Sequence, residues 1–452
     1  MSAPGRACAV AIAVSIAATA PAMRAASAST ASAEDAAPAS APEVPLALEA
    51  AYDRALETDQ SIRTAYEEVE KADLLTWSAL TRMAPTVTAS GSYLRPEHAI
   101  RDSQGPVLVE TRSAQVAVEQ PLFDLSTVPA YQAGSRAAAE ARLRHRQTVR
   151  DVLFGVARAF FEVLKDERVV DVNGQILDLA RGQLTLAERR FSVGEVTKTD
   201  VARARVAVEQ AHQKQIEAEN SLRLAQHTLA SILNLDPAAE PKLAEPSPQD
   251  HQIPAIDDAE HSATLHRDDL AASKLAIEES EATHREVLAR YAPKVVGDWT
   301  DQWLDPETFS SRNDFWTATV GVTLPLFDGG QREIDVARTD HDIREARLAH
   351  ETLAKSVDLE VRDAWLEVRT LEETLEALRA QLAAAEETYR DLESQYRAGE
   401  ATSLDLQSAL TDLGTARTDL ASRTFDLEIA LLELQRAMGT FQDARAERVK
   451  LE

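Results

Sequence analysis

Two seven-residue segments carry side chains able to do chemistry together: Gly194-Glu195-Val196-Thr197-Lys198-Thr199-Asp200 and Gly399-Glu400-Ala401-Thr402-Ser403-Leu404-Asp405. In both, glycine stands where a helix would end on a left-handed residue. In both, threonine precedes aspartate by three residues, the spacing of a capping box, where hydroxyl and carboxylate each satisfy the other's backbone N–H. The chemistry on offer is electrostatic: a carboxylate fixed at a helix start. Catalytic patterns are missing from the sequence. The 10 histidines are scattered, His261 and His266 lie five apart on a polar stretch, and H-E-x-x-H, G-x-S-x-G and G-x-x-x-x-G-K do not occur. Cys8 is the sole cysteine, so downstream of it disulfides, thiol catalysis and cysteine-held metals are excluded. Neither enzymatic activity nor a cofactor is expected.

The segments lie between heptad runs. Val361, Ala364, Val368, Leu371, Leu375, Leu378, Leu382, Ala385, Tyr389, Leu392 and Tyr396 alternate spacings of three and four, the seam of a coiled coil. Val156, Ala159, Val163, Val170, Leu177, Ala180, Leu184, Ala187 and Phe191 keep the same grid, interrupted by polar Asp166 and Asn173. Leu406, Leu410, Leu413, Leu420, Leu427, Leu431, Leu434 and Met438 continue it on a returning helix, with Arg417 and Thr424 in its gaps. The 66 residues from Gln331 to Tyr396 would make a helix of about 99 Å at 1.5 Å per residue. Such a helix belongs to a stalk or a tube.

The grid repeats because the chain is duplicated. Pro121-Leu122-Phe123-Asp124 returns as Pro325-Leu326-Phe327-Asp328, so that residues 121 and 325 differ by 204. Gly194 and Gly399 differ by 205, and Pro85 and Pro293 by 208. The division that follows is a first repeat at 46–236, a Pro-rich linker at 237–254, a second repeat at 255–440 and a tail at 441–452. Each repeat starts with a helix (46–82, 255–290), continues as a β-hairpin (about 84–123, 292–327) and ends as a helical hairpin (about 129–235, 331–438). Ahead of them, Arg6, the apolar Ala7–Ala20 and several A-x-A sites read as a secretory signal peptide at 1–28, followed by a disordered lead-in at 29–45.

The β segments alternate. Val87, Ala89, Gly91 and Tyr93 interleave with Thr86, Thr88, Ser90 and Ser92, and Trp316, Ala318, Val320 and Val322 with Thr317, Thr319, Gly321 and Thr323. No run of 18 apolar residues follows residue 20, which excludes a membrane-spanning helix but not a barrel. Trp299, Trp303 and Trp316, three of the five tryptophans, surround the second β-hairpin's loop as an aromatic girdle would. Four strands cannot close a barrel, and lipid tolerates no open edge, so three chains with four strands each would share a 12-stranded barrel. With 75 acidic residues against 48 basic ones, the net charge of −27 argues against nucleic acid as a partner.

This plan resembles the TolC-like outer-membrane efflux proteins (outer membrane factors) over nearly the whole chain beyond the signal. The resemblance rests on the paired Ala-Pro, the paired Pro-Leu-Phe-Asp and the paired turns. It implies a mainly α fold with a small membrane β-barrel portion: duplicated coiled-coil hairpins, and a homotrimer forming barrel and α-helical tunnel. It implies a passive exit duct in outer-membrane lipid, with its tunnel in the periplasm, serving a periplasmic adaptor (membrane fusion) protein and an inner-membrane transporter of an efflux or type I secretion system. A periplasmic adaptor and a purely structural coiled coil are the competing readings. By the same resemblance, Gly194, Glu195, Val196, Thr197, Gly399, Glu400, Ala401 and Thr402 form the adaptor-docking tips. Asp405 faces the pore, and Ser408 falls where a second pore aspartate is usual. Tyr396 and Asp200 link neighbouring helices in the closed state. The arginine that aids this link falls on Ala401, with Arg397 as the nearest substitute.

Overall fold

The computed structural model describes residues 45–97, 100–102, 105–108, 110–236, 239–246, 253–305 and 313–446. The expected signal peptide, the lead-in up to residue 44, much of the linker and the tail from residue 447 lie outside them. Everything below concerns the unit Val44–Glu452.

The first expected helix is two helices, α1 (Leu48–Thr58) and α2 (Gln60–Thr81). Asp59 divides them: its backbone is extended (ψ 133°), and its Oδ1 accepts the N–H groups of Ser61 at 2.7 Å and Ile62 at 3.2 Å. A side chain that satisfies the next helix's free donors makes a break inexpensive. The strands β1 (Thr86–Leu94), β2 (Ile100–Asp102), β3 (Gly105–Leu108) and β4 (Thr111–Phe123) follow, then α3 (Thr127–Ser192) and α4 (Lys198–Ile232). Among the described residues the second repeat has the same plan without the small β2–β3 hairpin: α5 (Ile256–His266), α6 (Asp268–Ala289), β5 (Lys294–Asp305), β6 (Asp314–Thr323), α7 (Gln331–Ala398) and α8 (Ser403–Ala437), then α9 (Asp443–Ala446). Here the break falls at Arg267, whose guanidinium holds Asp269 at 2.7 Å and Glu360 at 2.5 Å.

One order runs through the unit. The main sheet is antiparallel in the order β1-β4-β5-β6. Beside it the helices pack as α2-α3-α6-α7, and further out as α4-α3-α8-α7. The two repeats therefore meet along a single internal seam, β4 on β5 and α3 on α8. The edge strands β1 and β6 have no further partner strand among the described residues.

Three apolar clusters hold this wall. Tyr52, Val149, Leu153, Phe160, Leu229, Leu233 and Phe441 anchor one between α1, α3 and α4. Phe441 meets Tyr52 and Phe154 edge-on, with centroids at 6.5 and 6.0 Å. Val357, Val361, Val368, Leu371, Leu431 and Leu434 anchor its counterpart in the second repeat. Ile176, Leu177, Ala180, Tyr389, Tyr396, Leu406, Leu410 and Leu413 form the third where the two helical hairpins meet. The polar interruption Asn173 is buried and donates to its own helix, Nδ2 to Val169 O at 3.0 Å. The linker's described part is tied down too: Leu46 N–H donates to Lys242 O and Ala244 N–H to Leu46 O, at 2.8 and 3.0 Å.

Candidate functional site: the helical tips and the two-faced sheet

At the tips, heptad packing ends and each chain direction reverses within a few residues. Gly194 and Gly399 adopt φ of 82° and 83°, the left-handed conformation that a Cβ disfavours. Both capping boxes form. Asp200 Oδ2 accepts from Thr197 N at 3.0 Å and Thr197 Oγ1 at 2.7 Å, and Asp405 Oδ2 accepts from Thr402 N at 3.1 Å and Thr402 Oγ1 at 2.6 Å.

The two carboxylates then differ. Asp200 Oδ1 accepts from Ser403 Oγ at 2.6 Å, which ties the first tip to the second. Asp405 is exposed, and its Oδ1 has no partner among the described residues. Donated hydrogen bonds hold both below the usual carboxylate range: those of Ser403 and Thr197 for Asp200, and those of Thr402 for Asp405. Ser408, one turn beyond Asp405 on α8, is exposed. Glu195, Thr197, Glu400 and Thr402 are exposed as well, whereas Val196 is half-buried and Ala401 packs on the tip cluster.

Further contacts surround Tyr396 at the tip. Tyr396 is buried in the tip cluster, which raises its phenol's pKa, and both Arg190 and Asp200 act on it electrostatically. The Arg190 guanidinium lies 5.0 Å from the Tyr396 ring centroid, donates to Tyr396 O, and holds Glu195 Oε2 at 3.0 Å. Arg397 pairs within its own helix, with Glu393 at 2.6 Å. Sequence reasoning missed Arg190 because it sits on the polar side of its helix, where a charge reads as solvated.

The strand register sorts the sheet into two faces. Val87, Ala89 and Tyr93 lie level with Val118, Val116 and Arg112, and Val118 and Ala114 lie level with Trp299 and Trp303. Gly297, Trp299 and Asp301 lie opposite Val320, Ala318 and Trp316. One face is therefore apolar through its middle but for Asp301, with Gln120 toward one end and Arg112, Asp305 and Asp314 toward the loop end, and the other carries Thr88, Ser90, Ser92, Gln115, Glu119, Thr300, Thr317 and Thr319. Trp303 and Trp316 sit near the loop end, but Trp299 is mid-strand between Val118 and Ala318. Tyr93, level with Arg112, lies near the loop end as well. At the opposite end, Phe123, Leu326 and Phe327 are exposed. Their neighbouring aspartates are engaged, Asp124 by Lys294 at 2.8 Å and Asp328 by Arg332 at 2.7 Å. These motif residues served the sequence only as landmarks; the second apolar band they make shows once the strands end beside one another.

A model of outer membrane efflux proteins matches residues 51–235 and 260–440, the two repeats. The chain belongs to the outer membrane efflux protein family. Among relatives of this family, the outer membrane efflux protein BepC of Brucella suis is 22% identical over 278 residues, covering 61% of this chain and 60% of its own. The outer membrane protein OprJ of Pseudomonas aeruginosa is 23% identical over 341 residues, 73% of this chain and 70% of its own. The matched part thus spans three fifths of BepC's length. In three dimensions the chain is similar to the Campylobacter jejuni CmeC outer membrane channel, with a TM-score of 0.77, 15% identity and 89% of both chains covered. The mainly helical fold with a four-stranded sheet is that of these channels.

Proposed function

We propose that this outer membrane efflux protein is a passive exit duct, three copies of which share one barrel in the outer membrane and one helical tunnel in the periplasm. The observation that carries this reading is the open wall with a two-faced sheet. An apolar sheet face in lipid is stable only when no strand edge is left unpaired, and four strands reach closure only with copies of themselves. A structural coiled coil or a soluble adaptor would leave that apolar face in water. No helix among the described residues is long and apolar enough to cross a membrane.

Transport energy would come from an inner-membrane transporter reached through a periplasmic adaptor, because the sequence holds no nucleotide-binding motif. The docking surface would be the exposed tip residues, Glu195, Thr197, Glu400 and Thr402, around Gly194 and Gly399. Asp405, repeated in three copies, would ring the tunnel mouth, and carboxylates at one level favour cations. The test is the purified protein in detergent and in planar bilayers. It should be a trimer from the outer-membrane fraction, and Asp405→Ala should lower its preference for cations. A soluble protein sinks the duct, and unchanged selectivity sinks the ring.

A further inference from the structure

We infer that the apolar face of the sheet carries a binding site for a lipid whose head group bears a primary ammonium, built from Asp301, Trp303, Asp314 and Trp316. This rests on the membrane-spanning reading above and goes beyond it to a particular class of lipid. The register sets the four residues on one face of β5 and β6: Asp301 lies directly opposite Trp316, and Trp303 directly opposite Asp314. The two carboxylates therefore occupy one diagonal and the two indoles the other. Opposite residues of an antiparallel pair have Cβ atoms about 4.5–5.5 Å apart, and diagonal neighbours lie about 7–8 Å apart, so one small head group reaches all four.

A carboxylate on a lipid face is costly and calls for a partner. Asp305, at the loop end, lies opposite Arg112. Asp301 and Asp314 lie opposite tryptophan instead, are exposed, and make no ion pair among the described residues. Asp301 is the deeper of the two. Beyond it the same face of β5 and β6 runs through Trp299, Gly297, Ala318, Val320 and Val322 without a charge. Asp301 thus stands where hydrocarbon gives way to head groups, and its counter-charge has to come from the lipid.

The indoles decide which cation that is. A divalent metal ion needs several oxygen ligands around it, and no group of three His, Cys, Asp or Glu side chains among the described residues is placed to hold one. An ammonium needs less: it donates to carboxylates and lies against aromatic faces, of which tryptophan's is the best. Trp303 and Trp316 are 42% and 67% exposed, so their rings are open to such a contact. The rest of the lipid has a place as well. Asp301, Trp303 and Asp314 border a depression of about 500 Å³ that continues over Ala89, Gly91, Ala114 and Val116. At Gly91 only the Ser113 carbonyl comes within 4 Å of where a Cβ would stand. Small side chains on β1 and β4 thus leave room for an acyl chain beside the charged corner. A head group with phosphate alone would meet two carboxylates and be repelled.

The test uses the full chain in detergent and three lipids with identical chains: phosphatidylethanolamine, phosphatidylcholine and phosphatidylglycerol. Native mass spectrometry should show phosphatidylethanolamine retained about tenfold over phosphatidylglycerol, the order of two cation–π contacts. Asp301→Asn together with Asp314→Asn should bring the two lipids level. Equal retention by the unaltered protein, or a preference that survives the double variant, overturns the site. Phosphatidylcholine held as well as phosphatidylethanolamine overturns the primary ammonium, since a quaternary one donates no hydrogen bond. A second measurement separates the site from the reading beneath it. Each lipid, brominated on its chains, is added as a minor component to phosphatidylcholine vesicles holding the protein, and tryptophan fluorescence is followed. Strongest quenching by the brominated phosphatidylethanolamine is the expected result. Equal quenching by all three overturns the site alone, and quenching by none overturns the lipid face itself.

Discussion

Arg190 joins three groups that the heptads would otherwise leave apart: the Tyr396 ring, the Tyr396 carbonyl and Glu195. A flat guanidinium can stack and donate at once, which an ammonium cannot. Arg190→Ala should therefore cost about 1–2 kcal/mol at the tip, and Arg190→Lys should restore little. Proteolysis of the tip in the purified protein measures this, with cleavage confined to the turns as the expected result. His145 on α3 gives a second residue-scale test. It is buried, and burial holds its imidazole below the ordinary 6.5. The unfolded chain then takes up a proton before the folded chain does. Its contribution to stability is complete above that ordinary value and lost as pH falls below it. The unfolding temperature should drop as the buffer is taken from neutral to about pH 5, and His145→Gln should lessen the drop. An undiminished drop in the variant would place the titration elsewhere.

Among the elements, the long helices are laterally supported at two levels, the tips and mid-length. The tip cluster holds one end of the paired hairpins, and Phe441 closes the cluster of α1, α3 and α4. Beyond Phe441, Arg445 holds Glu49 and Asp53, so the end of the described chain is tied back to α1. Gly439 makes the turn that allows this: its φ is 75°, and a Cβ there would lie 2.7 Å from the backbone of His266. Phe441→Ala removes a fully buried ring and should cost about 3–5 kcal/mol. Denaturant unfolding measures it; a loss below about 1 kcal/mol would mean that the cluster collapses onto the space left. The breaks at Asp59 and Arg267 belong to this scale as well. They let α1 and α5 turn from the lines of α2 and α6 onto the body of the wall.

For the whole molecule, the decisive property is that the order of first and second repeat is the same in the sheet and in both helical layers. A wall whose edges fall on one side at every level closes by rotation, with each copy's second repeat meeting the next copy's first. The sheet's faces give the matching test. Val320→Arg puts a charge on the apolar face, where it should cost about 2–4 kcal/mol near mid-bilayer and move protein out of the outer-membrane fraction. Thr319→Arg, one residue away on the polar face, should leave the fraction unchanged. Equal losses would mean that neither face meets lipid.

The sequence by itself determined what is periodic. Heptads, strand alternation and the repeat near 205 residues are local or translational patterns, and they fix the long helices, the four strands and the paired turns without reference to contacts. The capping boxes were legible for the same reason, since Thr197 and Asp200, or Thr402 and Asp405, meet within one turn. What only the tertiary structure decided lies between elements. Asp200 takes Ser403 from 203 residues away, Arg190 takes Tyr396, Trp299 falls mid-strand, and Arg397 stays within its own helix. No spacing encodes these choices. They depend on which faces of α3 and α8 turn toward each other and on the strand register, both set by packing across the seam that joins the two repeats.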